Sequence, residues 1–396
     1  MADRRIAVTG MGILSAIGIG VEANHKSLIS HSCGISDISI LKTKHQSQLP
    51  AGEIKLSNHQ LIAGTNFQEN EKIPRSVLLS IPAINEALQM ADIQGDESLD
   101  FYYATTVGGI DISEELISQR ENGSSINYND FKYHDCGAST ELLTDYYGFT
   151  GNSFTISTAC SSSANAIGKA ADALKSGKIK YALAGGSDAL SRFTLNGFNS
   201  LMILDKNLCR PMDDARNGLN LGEGAAFLFL ETEENAISRG AEILGYVVGF
   251  SNTNDSHHQT ASSEDGEGAF LAIRDALKRA QLESRDISYI NAHGTGTQNN
   301  DLSEGNALER IFEIMPPVAS TKSYTGHTLA ASGAIEAVFS LLALKNNEIY
   351  PTLRWENKIS AHQLHSFNKT KFQEVNYVLS NAFGFGGNCS TLIFGK

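Results

Sequence analysis

Short apolar stretches alternate with longer mixed segments along nearly the whole chain. The stretches are rich in Val, Ile, Phe and Tyr and end near Gly, Ser or Asn, which is typical of β-strands. The predicted strands are residues 5–9, 101–107, 152–158, 181–184, 225–230, 245–250, 287–292, 377–379 and 390–394. Between two of them, the segment 266–282 carries apolar residues such as Phe270 and Leu277 on one face, which predicts an amphipathic helix covering a sheet. The alternation predicts an α/β fold.

Two segments, 156–179 and 319–349, resemble each other. Each runs from an apolar strand through a Ser-Thr turn into a helix rich in small residues. Such a repeat predicts two similar halves, joined near the polar stretch 231–239. We expect an N-terminal half at residues 1–235 and a C-terminal half at residues 236–396.

Composition narrows the possible functions. The 396 residues are 41% hydrophobic and carry a formal charge of −13, so they can bury a large core and do not favour nucleic acid or anionic membranes as partners. The five cysteines are far apart and lack metal-ligand spacing, which predicts reduced thiols and no metal site. The apolar run after the basic start is too short for a signal peptide, which predicts a cytoplasmic protein.

Cys160 is the first candidate for chemistry. It stands in Ser157-Thr-Ala-Cys-Ser-Ser-Ser163, between a predicted strand and an Ala/Ser-rich helix. The positive end of the helix dipole favours thiolate, and free N–H groups there stabilise an oxyanion. Taken alone, the residue fits a buried structural cysteine better than a catalytic one, because free cysteine is among the most buried residue types.

Two histidines change that balance. His293 and His327 each follow a predicted strand and lie beside glycine, where side chains protrude from the sheet. Lys322 and Glu336 flank the second histidine, although each is also compatible with an ordinary surface charge. A cysteine and two histidines at strand ends are typical of nucleophilic catalysis.

A glycine-rich turn, residues 381–387, completes the set. It reads Asn-Ala-Phe-Gly-Phe-Gly-Gly, and its glycines let the backbone approach another group closely. A simple hairpin packed by aromatic rings explains the same pattern.

Together these motifs resemble the elongating, two-histidine β-ketoacyl-acyl carrier protein synthases of the thiolase-like superfamily, over nearly the whole chain. The family fold is five-layered, αβαβα with mixed sheets, in two similar halves. The motifs are Val8-Thr-Gly-Met-Gly12, Thr158-Ala-Cys-Ser-Ser-Ser163, Arg210-Pro-Met-Asp213, Gly222-Glu-Gly-Ala225, Asn291-Ala-His-Gly-Thr-Gly-Thr297, Ser320-Thr-Lys-Ser-Tyr-Thr-Gly-His327 and Asn381-Ala-Phe-Gly-Phe-Gly-Gly387.

The resemblance implies a role for each catalytic candidate. Cys160 resembles the nucleophile that accepts the acyl group. His293 and His327 resemble the pair that promotes malonyl decarboxylation by hydrogen-bonding the thioester enolate. Lys322 and Glu336 resemble the charged residues behind that pair.

It also implies residues for the oxyanion hole and the substrate channel. The backbone N–H groups of Cys160 and Phe385 match the oxyanion hole, and Phe385 matches a gate between acyl pocket and malonyl group. Thr295 and Thr297 match positions that bind the phosphopantetheine arm, and His258 aligns with a channel histidine. The acidic support residues are Asp301 and Glu304.

The implied reaction is decarboxylative Claisen condensation of an acyl thioester with malonyl-acyl carrier protein. It implies no cofactor of the enzyme's own, because the substrates ride on the phosphopantetheine of the carrier. Ser-Ser-Ser after Cys160 and Gly-Thr-Gly-Thr after His293 are closer to polyketide ketosynthases, so the pathway is fatty acid or polyketide and polyene synthesis. The resemblance implies a homodimer through residues 152–158, or a heterodimer with a chain-length partner.

Other interpretations remain open on sequence alone. Gly10-Met-Gly12 resembles the start of a dinucleotide-binding turn, although Ser15 replaces its third glycine. A noncatalytic chain-length partner is a second alternative, and a thiolase using Cys389 as its second cysteine is a third. Carrier proteins are acidic, so we expect basic residues at the channel mouth. The candidates are Lys72, Arg75 and Lys206.

Overall fold

A computed structural model describes residues 4–93 and 98–396, so residues 1–3 of the basic start lie outside the described residues. The described strands are β1 (Ile6–Ser15), β2 (Gly18–Ile19), β3 (Asp100–Ala104), β4 (Ser153–Ile156), β5 (Tyr181–Asp188), β6 (Gly224–Thr232), β7 (Gly245–Asn254), β8 (Tyr289–Asn291), β9 (Val318–Ala319), β10 (Glu348–Ile349), β11 (Lys371–Phe372), β12 (Tyr377–Gly384) and β13 (Asn388–Gly395). The α-helices in these ranges are α1 (Val21–Ile29), α2 (Asn58–Ile62), α3 (Arg75–Met90), α4 (Ile110–Glu121), α5 (Cys136–Tyr147), α6 (Ser162–Lys175), α7 (Arg192–Ser200), α8 (Glu233–Arg239), α9 (Glu267–Ala280), α10 (Gln298–Ile311), α11 (Lys322–Thr325) and α12 (Ser332–Asn346). Each predicted strand overlaps a strand of the structure, and the predicted amphipathic helix is α9.

The sheet consists of two half-sheets with the same strand order. One half runs β4-β3-β5-β6-β1 and the other runs β9-β8-β12-β13-β7. In both, the first two pairings are parallel and the last two antiparallel. The halves join where β1 pairs β7 over three residues, from Ile6 opposite Val247 to Val8 opposite Gly245. The two similar halves are confirmed; the boundary after residue 235 falls within α8 and stays a prediction.

Helices cover both faces of each half-sheet. Helix α3 packs on the outer face of the first half, and α9 packs on the outer face of the second. Helices α6 and α12 pack against each other between the halves. The layers are therefore helix, sheet, helix, sheet, helix, as expected for an αβαβα fold.

The glycines at the start of the chain pack a strand against a helix. β1 runs through Gly10 and Gly12 without a turn. A Cβ at Gly10 would lie 2.1 Å from the carbonyl oxygen of Ala87, and one at Gly12 would lie 2.0 Å from that of Ala83. The glycines let α3 approach the sheet, so a dinucleotide-binding turn here is wrong.

The central helices bring the two halves of the site together. α6 follows β4 and α12 follows β9, and these strands hold equivalent outer positions in their half-sheets. A Cβ at Gly333 would lie 2.7 Å from the backbone nitrogen of Ala164, which shows how closely the helices approach. The stretch Leu329–Asn346 has the length and apolar character of a membrane span, but 89% of it is buried inside the protein. It is a core helix.

Candidate active site

A cavity of about 400 Å³ lies where the central helices meet the loops of both halves. The candidates on its wall are Cys160, His293, His327, Phe385, Thr295, Thr297 and His258. Lys322 and Glu336 are buried directly behind the histidines. The structure therefore brings together all nine residues that the sequence analysis selected for catalysis and for binding the phosphopantetheine arm.

Cys160 lies in a tight turn two residues before the first residue of α6. The preceding Ala159 has φ of +53°, a left-handed conformation that turns the chain sharply between strand and helix. Burial raises the pKa of the Cys160 thiol to about 12, although the charge of Lys322 acts in the opposite direction. Burial therefore favours the neutral thiol, against the thiolate expected from the position of Cys160 before a helix.

The glycine-rich turn lies against the cysteine. It connects β12 to β13 as a hairpin, with Gly386 and Gly387 at φ of +81° and +79°. The backbone N–H groups of Phe385 and Cys160 both donate to the sulfur of Cys160, and each lowers the pKa of its thiol. A Cβ at Gly384 would lie 3.1 Å from the backbone nitrogen of Cys160. The motif is therefore a hairpin, and its backbone approaches Cys160 closely.

The Phe385 ring closes one side of the cavity. It stacks on Phe198 of α7, with ring centroids 5.5 Å apart and planes 20° apart. Its side chain is partly exposed, whereas Phe383 is buried and packs against His293.

The two histidines meet edge to face, with ring centroids 5.3 Å apart. Nζ of Lys322 lies 3.3 Å from Nδ1 of His293. Because an ammonium group has only donors, Nδ1 must accept, and the imidazole proton resides on Nε2. Nδ1 of His327 lies 3.0 Å from Oγ of Ser332, which can donate in the same way. Both rings can then present an Nε2–H group to the cavity.

Burial is the main influence on the pKa values of His293, His327 and Glu336. It lowers the pKa of His293 and of His327 well below the usual value, and the charge of Lys322 lowers each further. Both imidazoles are neutral at pH 7. Burial raises the pKa of Glu336 to about 7, against the opposing effect of its ion pair with Lys322.

Two carboxylates hold the turn that carries His293. Glu304 accepts hydrogen bonds from the backbone N–H groups of His293 at 2.9 Å and Gly294 at 2.8 Å, and from Asn381 at 3.0 Å. Asp301 accepts from the backbone N–H of Gly296 at 3.1 Å. The geometry places both as supports, because their oxygens bind backbone rather than the cavity.

Thr295, Thr297 and His258 lie nearer the mouth. The hydroxyl groups of Thr295 and Thr297 are 2.9 Å apart, and Thr297 also caps the N-terminus of α10. His258 is exposed, and its Nδ1 accepts from the backbone N–H of Thr260 at 3.2 Å. These positions suit an extended polar arm better than a reacting group.

Two sequence interpretations are corrected here. Arg75 is not a channel-mouth cation, since it is buried and its guanidinium pairs with Glu223 at 2.6 Å. Lys72 pairs with Asp130 at 3.0 Å, whereas Lys206 is exposed as expected. Cys389, the candidate second cysteine of a thiolase, is buried in a small apolar cluster behind Phe383 and does not itself line the cavity.

Sequence reasoning missed several residues of the site. Ser332 lies within hydrogen-bond distance of His327, Phe383 packs on His293, and Asn388 binds Ser161, the residue after Cys160. Ser332 and Asn388 carry no motif, and only their position beside a motif could have indicated them. Phe383 belonged to the glycine-rich motif, but its burial depends on tertiary packing.

Sequence profiles and a curated relative agree with this geometry. The profile described as Beta-ketoacyl synthase, N-terminal domain, matches residues 3–236, and its C-terminal counterpart matches residues 242–356. The chain is 31% identical over 412 residues to 3-oxoacyl-[acyl-carrier-protein] synthase 2 of Staphylococcus aureus (strain COL), covering 100% of this chain and 99% of the relative.

Solved structures are also similar. The ishigamide ketosynthase/chain length factor matches with a TM-score of 0.94 and 28% identity over 100% of both chains. A type II PKS acyl-carrier protein in complex with its ketosynthase bound to the hexaketide matches with a TM-score of 0.89 and 25% identity over 99% of both.

Fold and cavity define a condensing enzyme of the thiolase-like superfamily, an acyltransferase that joins acyl units. The chain belongs to the β-ketoacyl synthase family.

Proposed function

We propose that this enzyme condenses an acyl thioester with malonyl-acyl carrier protein and releases 3-oxoacyl-acyl carrier protein, in fatty acid or polyketide and polyene synthesis. One observation carries the proposal. A single cavity combines a cysteine beside two backbone N–H groups with two neutral histidines, of which His293 is held by a buried ammonium group and His327 by a serine hydroxyl. Acyl transfer needs the two backbone N–H donors, and decarboxylation needs the two imidazole N–H donors.

In the first half-reaction, Cys160 attacks the carbonyl carbon of an acyl carrier. The thiol loses its proton as the new carbon–sulfur bond forms, and the departing carrier thiol takes up a proton, so the step is balanced. The N–H groups of Cys160 and Phe385 stabilise the tetrahedral oxyanion. Donors of this kind contribute about 2.7–4 kcal/mol each in comparable sites.

In the second half-reaction, a malonyl carrier occupies the same cavity. Its thioester oxygen accepts hydrogen bonds from His293 and His327, so negative charge accumulates there as CO₂ leaves. The resulting carbanion attacks the acyl group on Cys160. The cysteine leaves as a thiolate and takes up one proton, and the product is a 3-oxoacyl carrier. Neutral imidazoles suit this role, because each keeps a donor without adding a buried charge.

The carrier is the proposed partner and the source of phosphopantetheine. The relatives include a carrier-protein-dependent synthase and a carrier protein in complex with its ketosynthase. Thr295, Thr297 and His258 line the same cavity as the cysteine, which would suit the passage of an extended arm. We place the enzyme in the cytoplasm and assign it no cofactor of its own.

The proposed assembly is a dimer through β4. This strand is the outermost of its half-sheet, its first three residues are exposed, and Phe154 is 42% exposed on it. Exposed strand edges readily pair with a second chain. A homodimer is one arrangement. The second arrangement is a heterodimer, which the similarity to a ketosynthase/chain length factor favours. In that heterodimer this chain would be the catalytic subunit, because it retains Cys160 and both histidines.

A reconstituted reaction tests the function. Purified enzyme is supplied with acyl carrier and malonyl carrier, and products are followed by intact-protein mass spectrometry. We expect 3-oxoacyl carrier and one CO₂ per turnover. Loss of CO₂ without a new carbon–carbon bond, or no change in either carrier, would contradict the proposal.

A further inference from the structure

The side-chain oxygen of Asn388 is the centre of a small polar network beside the nucleophile. It accepts hydrogen bonds from Oγ of Ser161 at 2.6 Å, from Nδ2 of Asn165 at 3.0 Å and from Nδ2 of Asn252 at 2.7 Å. An amide oxygen has two lone pairs, so three donors at these distances occupy its full capacity to accept hydrogen bonds. Asn388 is therefore held firmly in one orientation.

This network joins the two chain segments that form the oxyanion site. Ser161 directly follows Cys160, and Asn388 is the first residue of β13, three residues after Phe385. The Ser161–Asn388 bond links positions 227 residues apart. This bond connects the turn that carries the Cys160 N–H donor to the hairpin that carries the Phe385 N–H donor.

Asn165 adds a second link on the same side of the turn. Its Nδ2 also donates to Oγ1 of Thr158 at 2.8 Å, and its Oδ1 accepts from Oγ of Ser390 at 2.7 Å. Ser161, Asn165 and Ser390 are all buried. Asn388 itself is half-buried, and Oγ of Ser161 also lies 2.7 Å from the carbonyl oxygen of Thr158. Networks whose members are mostly buried favour one geometry, because a broken bond leaves a buried polar group short of a partner.

The other two serines after Cys160 have different partners. Oγ of Ser162 accepts from the backbone N–H of Thr158 at 2.8 Å and stays within the turn. Oγ of Ser163 accepts from the backbone N–H of Ala334 at 2.9 Å and ties α6 to α12. Within Ser-Ser-Ser, Ser161 is therefore the residue that binds the glycine-rich hairpin.

We propose that Ser161, Asn165 and Asn388 form a positioning brace that sets the spacing between the Cys160 and Phe385 N–H donors. The inference rests on the proposed function, because it concerns the oxyanion formed when Cys160 is acylated. Oxyanion donors act within a narrow distance range, and a misplacement of about 1 Å can cost about 100-fold in rate. None of the three brace residues needs to touch substrate. The imidazoles of the histidine pair lie on other loops, and their hydrogen bonds go to Lys322 and Ser332 rather than to the brace residues.

The test compares two half-reactions in the same variants. Acylation of Cys160 by an acyl-pantetheine thioester is timed by intact mass, and decarboxylation of malonyl-pantetheine is timed by ¹⁴CO₂ release. We expect Asn388→Ala and Ser161→Ala each to slow acylation about tenfold or more while decarboxylation changes less than about twofold. Ser161→Thr keeps the hydroxyl group and should restore most of the acylation rate. The matched control is Asn306→Ala, whose amide binds the carbonyl oxygen of Glu264 away from the cavity.

A double-mutant cycle separates the brace from general loss of structure. If Ser161 and Asn388 act as one unit, the double variant should acylate about as slowly as either single variant. The brace would be overturned if the slowing of acylation in the double variant equalled the product of the two single-variant effects. It would also be overturned if both half-reactions slowed equally, or if Asn388→Ala acylated at the wild-type rate. If Asn388→Ala fails to fold, the comparison of acylation rates between Ser161→Ala and Ser161→Thr decides the question alone. Absence of acylation in the wild-type enzyme would instead overturn the proposed function, and the brace with it.

Discussion

Nζ of Lys322 lies 3.3 Å from Nδ1 of His293, and the same ammonium group forms a buried ion pair with Glu336. One cation thus fixes the tautomer of a histidine and pairs with a buried carboxylate. Stability and chemistry depend on the same side chain here, but suitable variants can separate them.

Lys322→Met is expected to destabilise the protein and to slow decarboxylation. It leaves Glu336 buried without its partner, which costs about 3–5 kcal/mol in comparable sites. Lys322→Met with Glu336→Gln removes the unpaired charge, so most of the free energy of unfolding should return. Decarboxylation should stay slow, because Nδ1 of His293 still lacks its donor. Urea denaturation and ¹⁴CO₂ release measure the two effects, and full decarboxylation in the double variant would contradict the tautomer argument.

His327→Ala is expected to reduce ¹⁴CO₂ release from malonyl carrier by about 100-fold or more, since one of two oxyanion donors is lost. Acylation of Cys160 should persist, because its oxyanion uses backbone N–H groups. His59→Ala is a suitable control, as the His59 side chain is 72% exposed. Unchanged CO₂ release in His327→Ala would remove this residue from decarboxylation.

The alkylation of Cys160 should depend on pH without levelling off near pH 9. Burial raises the pKa of this thiol to about 12, so the reactive thiolate fraction should increase about tenfold per pH unit from pH 7 to 10. Iodoacetamide labelling, followed on the Cys160 peptide, measures the rate. The exposed Cys33 in the same sample reports on reagent quality. A plateau below pH 9 would show that the free enzyme holds a thiolate.

Phe154→Lys should convert the proposed dimer to monomer. The Phe154 ring lies on the outer strand and stacks on Tyr102 with centroids 4.7 Å apart, so a lysine there places charge at the strand edge. Ile314→Lys is the matched control, because Ile314 is 85% exposed and lies outside β4. Light scattering after size exclusion reads the mass. A wild-type monomer, or an unchanged dimer in Phe154→Lys, would contradict the β4 interface.

Much of the fold could be predicted because its strands are apolar and end at turn residues. The four strands of two residues, such as β9, carry too short a pattern to detect. The repeat that links β4 to α6 and β9 to α12 was visible, because both units share a Ser-Thr turn and small helical residues. Their packing in the centre explains why Cys160 and His327 face one cavity.

The site was predictable where a motif marked it and not where burial decided the outcome. The thiolate expected for Cys160 followed from its position before a helix, but burial by both halves of the chain raises the pKa of the thiol. Arg75 looked like a surface cation, yet it is buried against Glu223. Asn388 had no sequence signal, because its importance comes from a partner 227 residues away.

The most direct test of Cys160 as the acyl-carrying nucleophile is mass spectrometry of the enzyme after incubation with a panel of acyl carriers. The expected result is a gain of one acyl mass, located on the Cys160 peptide and absent from a folded Cys160→Ala variant. The chain that loads most completely would also identify the preferred acyl length. An acyl group on another residue, or acylation and condensation that continue in Cys160→Ala, would contradict the assignment.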